Sequence, residues 1–144
     1  MDISSQITTV LLIDPSEDDR QYWMKQLKQS SPHYQCFEAE DAESGLAIYK
    51  RERIDCVVLE LHLPDMSGFL VLLRLNPIVR RRLQAPVVAL SRLSLPSIVE
   101  AAKQLGAQSY LIKSQASSDE LVAAIQSAIA TVRSTPKQVH ASTA

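Results

Sequence analysis

The sequence is poor in the residues that build disulfide-rich and zinc-binding domains. It contains two cysteines, Cys36 and Cys56, in 144 residues. Both lie within apolar segments, and two are too few for a disulfide scaffold, so a reducing cytoplasm is the expected compartment. The three histidines, His33, His62 and His140, are scattered and lack the spacing of zinc ligands. We therefore expect neither a disulfide framework nor a zinc site.

Long hydrophobic runs, glycine and strong net charge are also missing. No apolar run is long enough to cross a bilayer, and no basic start followed by an apolar segment suggests a secretory signal. Only three glycines are present, and none forms a glycine-rich phosphate-binding loop after an apolar run. The net charge of −1 gives no general attraction to nucleic acid or anionic lipid. Direct contact with nucleic acid or membrane is therefore not expected.

Hydrophobic residues make up 46% of the chain, which is enough for one globular core. Five short apolar runs recur along the sequence, and most are continuous rather than alternating, as is typical of strands covered on both faces. These predicted strands are Val10–Ile13, Tyr34–Phe37, Cys56–Leu59, Val87–Leu90 and Tyr110–Ile112.

Helix signals follow each predicted strand. Asp41 is a predicted N-cap of the second helix, Ser94 of the fourth, and Gly106 the predicted stop of the fourth. Residues 117–120 have the pattern of a capping box for the fifth helix. Strand and helix alternate five times, which predicts a three-layer α/β fold with a five-stranded parallel sheet, the doubly wound (βα)5 flavodoxin-like architecture.

The predicted domain covers residues 8–132. Residues 1–7 are interpreted as an N-terminal extension and residues 133–144 as a flexible tail or linker, because the tail has no apolar period. The basic run at 80–82 is interpreted as a solvated loop, with a docking patch as the alternative. Whether the chain is stand-alone or one domain of a larger protein stays open.

Four polar residues directly follow or end predicted strands: Asp14, Glu60, Ser91 and Lys113. In parallel sheets the ligand crevice lies beyond the carboxyl ends of the strands, so these side chains are predicted to meet at one rim. The acids at 18–19 fall inside the first helix pattern, and we expect them to be solvated at its start. Turn chemistry is expected to account for Asp65 and Ser67.

The segments VLLIDPSEDDR, DCVVLELHLPDMSG, APVVALS and GAQSYLIKS, in this order, resemble the receiver domain of two-component response regulators, the CheY-like fold. The resemblance implies a signal-transduction role and a place in a phosphorelay. It also implies a signalling partner, a histidine kinase or a phosphotransfer protein, that binds at about Pro96–Val132. A homodimer is a further open alternative.

The resemblance also identifies departures from the family pattern. A typical receiver has two adjacent acids that help to hold a divalent metal, and here Pro15 follows Asp14. The family's phosphoacceptor aspartate is replaced by Glu60. Ser91 and Lys113 keep the family's hydroxyl and lysine.

Three further positions follow from the same comparison. Tyr110 occupies the position of the family's switch aromatic. The alternative is that Tyr110 is a half-buried strand tyrosine with a solvated hydroxyl. Arg92 replaces a small residue and is expected to lie along the surface in water, with a side chain that covers the crevice as the alternative. Ser114 replaces the usual proline, so a trans Lys113–Ser114 peptide bond is expected.

These departures predict a pseudo-receiver, which is not an enzyme and has no catalytic residue. Its vestigial pocket consists of Asp14, Pro15, Ser91 and Lys113, with Glu60 at the phosphoacceptor position. We expect no cofactor. Magnesium is doubtful, because Pro15 offers no side-chain oxygen and only Asp14, Glu60 and the backbone of His62 are weak candidate ligands.

Several alternatives stay open at this point. The first is a metal-dependent receiver that accepts a phosphoryl group on Glu60 or another residue. A small-ligand binder of flavodoxin-like architecture is another, with little support from the scarce glycines. Glu60 is predicted to pair with Lys113, and a solvated carboxylate is the alternative. The sequence does not decide whether Glu60 mimics an active or an inactive state.

Overall fold

The computed structural model of the chain describes residues 6–77 and 85–134. Strands and helices alternate throughout this part of the chain. The strands are β1 (Thr8–Ile13), β2 (Tyr34–Ala39), β3 (Cys56–Leu59), β4 (Val87–Ser91) and β5 (Ser109–Ile112). The helices are α1 (Glu17–Ser30), α2 (Ala42–Arg51), α3 (Gly68–Leu75), α4 (Pro96–Gln104) and α5 (Ser118–Ser134).

The five strands form one parallel sheet in the order β2-β1-β3-β4-β5, which confirms the predicted fold class. The central strands β1, β3 and β4 are almost wholly buried, as their continuous apolar sequences predict. Two hydrophobic clusters lie on opposite faces of the sheet. One contains Val57 and Leu59 with α2 and α3, and the other contains Val58 and Leu90 with α1 and α5.

Local capping explains where most helices begin. The Asp41 carboxylate accepts a hydrogen bond from the Ser44 N–H at 2.9 Å, so the predicted N-cap of α2 is confirmed. The capping box of α5 is also confirmed. Ser117 Oγ accepts from the Glu120 N–H at 3.1 Å, and Glu120 Oε1 accepts from the Ser117 N–H at 2.9 Å. Reciprocal bonds of this kind satisfy backbone donors that the first turn leaves without partners.

The predicted start of α4 is wrong. Leu95, not Ser94, is its N-cap, and no side chain caps this end. Pro96 at the first helical position explains the shift, because its fixed φ favours the helix and it has no N–H to satisfy. Gly106, with φ of 121°, ends the helix as predicted, in a left-handed conformation that only glycine adopts readily.

The predicted tail starts too early. α5 continues to Ser134, so residues 133 and 134 belong to the helix. The rest of the predicted tail, residues 135–144, lies outside the described part of the chain. The basic run at 80–82 and the first five residues also lie outside it. Within residues 6–77 and 85–134, no helix has the length and hydropathy needed to span a bilayer.

Candidate functional site

The predicted rim forms at the carboxyl edge of the sheet. Asp14 and Glu60 directly follow β1 and β3, Ser91 ends β4, and Lys113 directly follows β5. Parallel strands bring their carboxyl ends to the same edge, which places all four side chains together. Three of them are buried, with Asp14 exposed by 6%, Glu60 by 3% and Ser91 by 0%. Polar groups with so little exposure need partners inside the protein.

Lys113 lies at the centre of this cluster. Its Nζ is 2.6 Å from Asp14 Oδ2, 2.8 Å from Asp19 Oδ2 and 3.0 Å from Glu60 Oε1. The predicted ion pair between Glu60 and Lys113 is therefore confirmed, and the alternative of a solvated glutamate is wrong. Three carboxylates around one ammonium group more than offset its charge, which explains how Lys113 can be buried with a side chain that is only 9% exposed.

Both carboxylate oxygens of Glu60 are engaged. Oε2 accepts from Ser91 Oγ at 2.5 Å and from the His62 N–H at 3.0 Å. Oε1 faces Lys113 and also accepts from the Arg92 N–H at 3.3 Å. Each oxygen thus has two donors, so Glu60 is held in one conformation by β4, β5 and its own loop.

These contacts change the proton affinity of the two partners. Burial alone would raise the pKa of Glu60, but hydrogen bonds from Ser91, His62 and Lys113 outweigh it and lower that pKa. Burial alone would lower the pKa of Lys113, but Asp14, Asp19 and Glu60 outweigh it and raise that pKa. Both shifts favour the charged forms, so Glu60 and Lys113 stay ionised around neutral pH.

Asp19 is the member of the cluster that sequence reasoning missed. Its Oδ2 faces Lys113 Nζ at 2.8 Å and Arg92 Nη2 at 3.1 Å, so the prediction that Asp19 is a solvated acid is wrong. Burial would raise the pKa of Asp19, but these two cations lower it. The first turn of α1 starts right after the rim, which turns Asp19 inward while its neighbour Asp18 is exposed.

Asp14 is fixed by the start of α1. Its Oδ1 accepts from the Ser16 N–H at 2.9 Å, and its backbone carbonyl accepts from Arg20 Nη1 at 2.6 Å. Arg20 also pairs with Glu38 of β2 at 2.7 Å. Arg20 therefore links the end of β1 to β2.

The rim offers few free oxygen ligands to a divalent cation. Pro15 supplies no side-chain oxygen, and both oxygens of Asp14 and of Glu60 already accept from protein donors. His62 approaches Glu60 through its N–H, which is a donor. Among residues 6–77 and 85–134, no group of three histidine, cysteine or acidic residues is arranged to hold a metal ion. The Lys113 ammonium lies where the carboxylates converge.

The remaining predicted positions border the cluster. Arg92 is 69% exposed in its side chain but bound to Asp19, so it is only partly the free surface residue that was expected. The Tyr110 hydroxyl donates to the Leu93 carbonyl at 2.7 Å, so the expectation of a solvated hydroxyl is wrong. The Lys113–Ser114 bond is trans, as expected.

The Asp65 side chain makes hydrogen bonds outside its own turn, which turn chemistry alone does not predict. Its carboxylate accepts from the Ala42 and Glu43 N–H groups, each at 2.9 Å, and these bonds lower the pKa of Asp65. It thereby links the loop after β3 to the start of α2. Ser67 caps α3 by accepting from the Phe69 N–H at 3.0 Å, as local turn chemistry predicts.

The sequence pattern of the family described as "Response regulator receiver domain" matches residues 10–126. The chain belongs to the response regulator receiver family. It is therefore a receiver of two-component signalling, a class whose partners are histidine kinases and phosphotransfer proteins. The match begins inside β1, covers the other four strands and ends about half-way along α5 of this receiver.

Relatives of this receiver are longer proteins. "Probable transcriptional regulator ycf27" from Porphyridium aerugineum is 35% identical over 96 residues, which are 67% of this chain and 38% of ycf27. "Sensory/regulatory protein RpfC" from Xanthomonas campestris pv. campestris is 30% identical over 105 residues, 72% of this chain and 14% of RpfC. The chain thus spans well under half the length of either relative.

A solved structure supports the receiver fold. The signal receiver domain of an HD domain-containing protein from Pseudomonas fluorescens superposes on the chain with a TM-score of 0.77. It covers 90% of this chain and 100% of that domain, at 24% sequence identity. A likeness at this identity establishes the fold and leaves the activity to be argued from the site.

Proposed function

We propose that this receiver is a pseudo-receiver, which does not accept a phosphoryl group and acts through protein–protein contact in the cytoplasm. It is a signalling module rather than an enzyme, and it uses no cofactor. Its partner is a histidine kinase or a phosphotransfer protein. The relative RpfC is named a sensory/regulatory protein, which supports a role in signalling.

The proposal rests on the Lys113 cluster, which consists of Lys113 and the three acids around it, Asp14, Asp19 and Glu60. Phosphoryl transfer needs a free carboxylate oxygen in line with the donor and a metal that neutralises the phosphoryl charge. Glu60 has two protein donors on each oxygen, and Lys113 is held by three acids. Accepting a phosphoryl group would require several of these buried contacts to break at once.

The length of Glu60 adds a second obstacle. Glutamate carries its carboxylate one methylene further from the backbone than the family's aspartate. A misplacement of about 1 Å can cost roughly a hundredfold in rate, because attack depends on near-ideal alignment. The extra length instead allows Glu60 to reach both Ser91 and Lys113.

The proposed contact surface is about Pro96–Val132, which includes α4, β5 and α5. Within α4, Ala102 is the one fully buried residue, so most of this helix faces outward. Leu95, directly before α4, is 61% exposed and offers an apolar contact beside it. Leu95 and the outward side of α4 are therefore the proposed contact with another protein.

Mass spectrometry after incubation with acetyl phosphate and magnesium tests the loss of acceptor chemistry. We expect the wild-type chain to gain no adduct of about 80 Da, because neither the metal nor an in-line oxygen is available. Glu60→Gln is the matched control, since it keeps the side-chain length and removes the nucleophile. A stoichiometric adduct on the wild type that Glu60→Gln abolishes would establish the alternative, a phosphoryl-accepting receiver that uses Glu60. An adduct that persists in Glu60→Gln would identify another acceptor.

A further inference from the structure

The segment between β4 and α4, residues 92–95, is tied to the Lys113 cluster by backbone contacts. The Arg92 N–H donates to Glu60 at 3.3 Å, and the Leu93 N–H donates to Ser91 Oγ at 3.1 Å. The Leu93 carbonyl accepts from the Tyr110 hydroxyl at 2.7 Å. This β4–α4 loop therefore lies directly between the buried acids and the first residue of α4.

A side-chain contact then joins this loop to a distant element. Arg92 Nη2 reaches Asp19 Oδ2 of α1 at 3.1 Å, and the same oxygen is held by Lys113 at 2.8 Å. The guanidinium thus extends from the loop across the carboxyl edge of the sheet to α1. Asp19 is itself held by Lys113, whereas the side chain of Arg92 is 69% exposed.

We propose that the Asp19–Arg92 ion pair is a strap that holds the β4–α4 loop closed over Glu60. The strap keeps Leu95 and the start of α4 in one orientation without any phosphorylation. This inference extends the proposed function, because the orientation of α4 matters to a partner that docks there. The closed loop itself is a property of the fold and is measurable without a partner.

Exposure makes the strap weak enough to open. The side chain of Arg92 is 69% exposed and that of Asp19 is 24% exposed, so water and salt compete for the contact. An exposed pair of this kind changes an opening equilibrium by a factor of about two to five. An acidic side chain on a docking protein would compete with Asp19 for Arg92 and shift the loop toward opening by the same factor.

Amide hydrogen exchange followed by NMR on the full chain tests the strap. Arg92→Ala removes the guanidinium but keeps the backbone N–H that donates to Glu60, and the exposed position makes unfolding unexpected. We expect the amides of Arg92 and Leu93 to exchange about two- to five-fold faster in Arg92→Ala, the range that an exposed ion pair supports. Arg133→Ala is the control, because Arg133 has a similar 68% exposure and pairs elsewhere, with Asp55.

Three further variants and a salt series identify the partner of Arg92. Asp19→Asn should accelerate exchange of the same amides, and Asp18→Asn should leave their exchange rates unchanged. In the double variant Asp19→Asn with Arg92→Ala, the acceleration should be smaller than the two single effects combined. High salt should bring the wild-type rates toward those of Arg92→Ala. Loop exchange that is equal in wild type and Arg92→Ala would overturn the strap. That result would leave the phosphorylation test unaffected, so the two proposals fail separately.

Discussion

Lys113 at the end of β5 places its ammonium nitrogen 3.0 Å from a carboxylate oxygen of Glu60 at the end of β3. The two residues come from strands on either side of β4, whose Ser91 also donates to Glu60. In this arrangement Lys113, the lysine of the family pattern, pairs with acidic residues of the protein itself. Testable consequences for stability, pH response and phosphorylation follow from it.

Lys113 is expected to be a major source of stability. Lys113→Met would leave Asp14 and Glu60 buried without their cation, and breaking one side of a buried ion pair costs about 3–5 kcal/mol. Urea denaturation at neutral pH measures this loss. Lys103→Met, a change at an exposed lysine of α4, should stay within about 0.5 kcal/mol of wild type. A Lys113→Met protein as stable as the Lys103→Met control would contradict the buried cluster.

Glu60 is expected to contribute to acid unfolding. Its pKa is lowered in the folded state from an ordinary value of 4.5, so its contribution is present above about pH 4.5 and is lost as the pH falls through the folded pKa. Glu60→Gln should therefore reduce stability at neutral pH and flatten the decline on the acid side. Urea denaturation across this pH range checks the slope.

Glu40→Gln, a change at an exposed acid, provides the control for that pH series. It should leave the acid slope of the wild type in place. Part of the slope should also survive in Glu60→Gln, because Asp19 likewise has a lowered pKa. An unchanged slope in Glu60→Gln would mean that Glu60 is not ionised and paired as described.

Ser91 is expected to matter through its bond to Glu60. Ser91→Ala would remove one of two donors to Glu60 Oε2 at a site with no exposure, and hydrogen bonds to charged groups contribute about 1.5–3 kcal/mol. Ser114→Ala, at an exposed hydroxyl, should be nearly neutral. The double variant Ser91→Ala with Glu60→Gln should lose less than the sum of the singles. Strict additivity would show that the two residues do not interact.

Restoring the family's acids is expected to restore chemistry. Pro15→Asp supplies the missing carboxylate, and Glu60→Asp shortens the acceptor so that it no longer reaches both Ser91 and Lys113. The double variant should gain a magnesium-dependent adduct of about 80 Da from acetyl phosphate, while each single variant should gain far less. Intact-protein mass spectrometry with and without a chelator provides the measurement. A double variant as inert as wild type would mean that another feature blocks the reaction.

Most of the fold follows from local sequence patterns. The buried strands have continuous apolar sequences, and the caps at Asp41 and Ser117 depend on residues three positions away, so neighbouring residues suffice to predict them. Ser94 was the wrong N-cap because Pro96, two residues later, favours the first helical position more strongly than a Ser94 hydroxyl favours a cap.

The candidate site was predictable only in part, for a physical reason. Strand ends are easy to locate, and parallel strands bring them together, which identified Asp14, Glu60, Ser91 and Lys113. Asp19 was missed because its contact depends on the direction in which the first turn of α1 leaves the sheet. Its partner Arg92 lies 73 positions away in the sequence. No local pattern contains that information.

Magnesium titration of the wild-type chain tests the central claim most directly. The amides of Asp14, Glu60 and Lys113 would be followed by NMR as the ion is raised into the millimolar range. We predict small, linear, non-saturating shifts, because Lys113 already occupies the point where the carboxylates meet and Pro15 offers no ligand. Saturating shifts confined to these three residues would contradict the account, because they would show a divalent ion in the place assigned to Lys113.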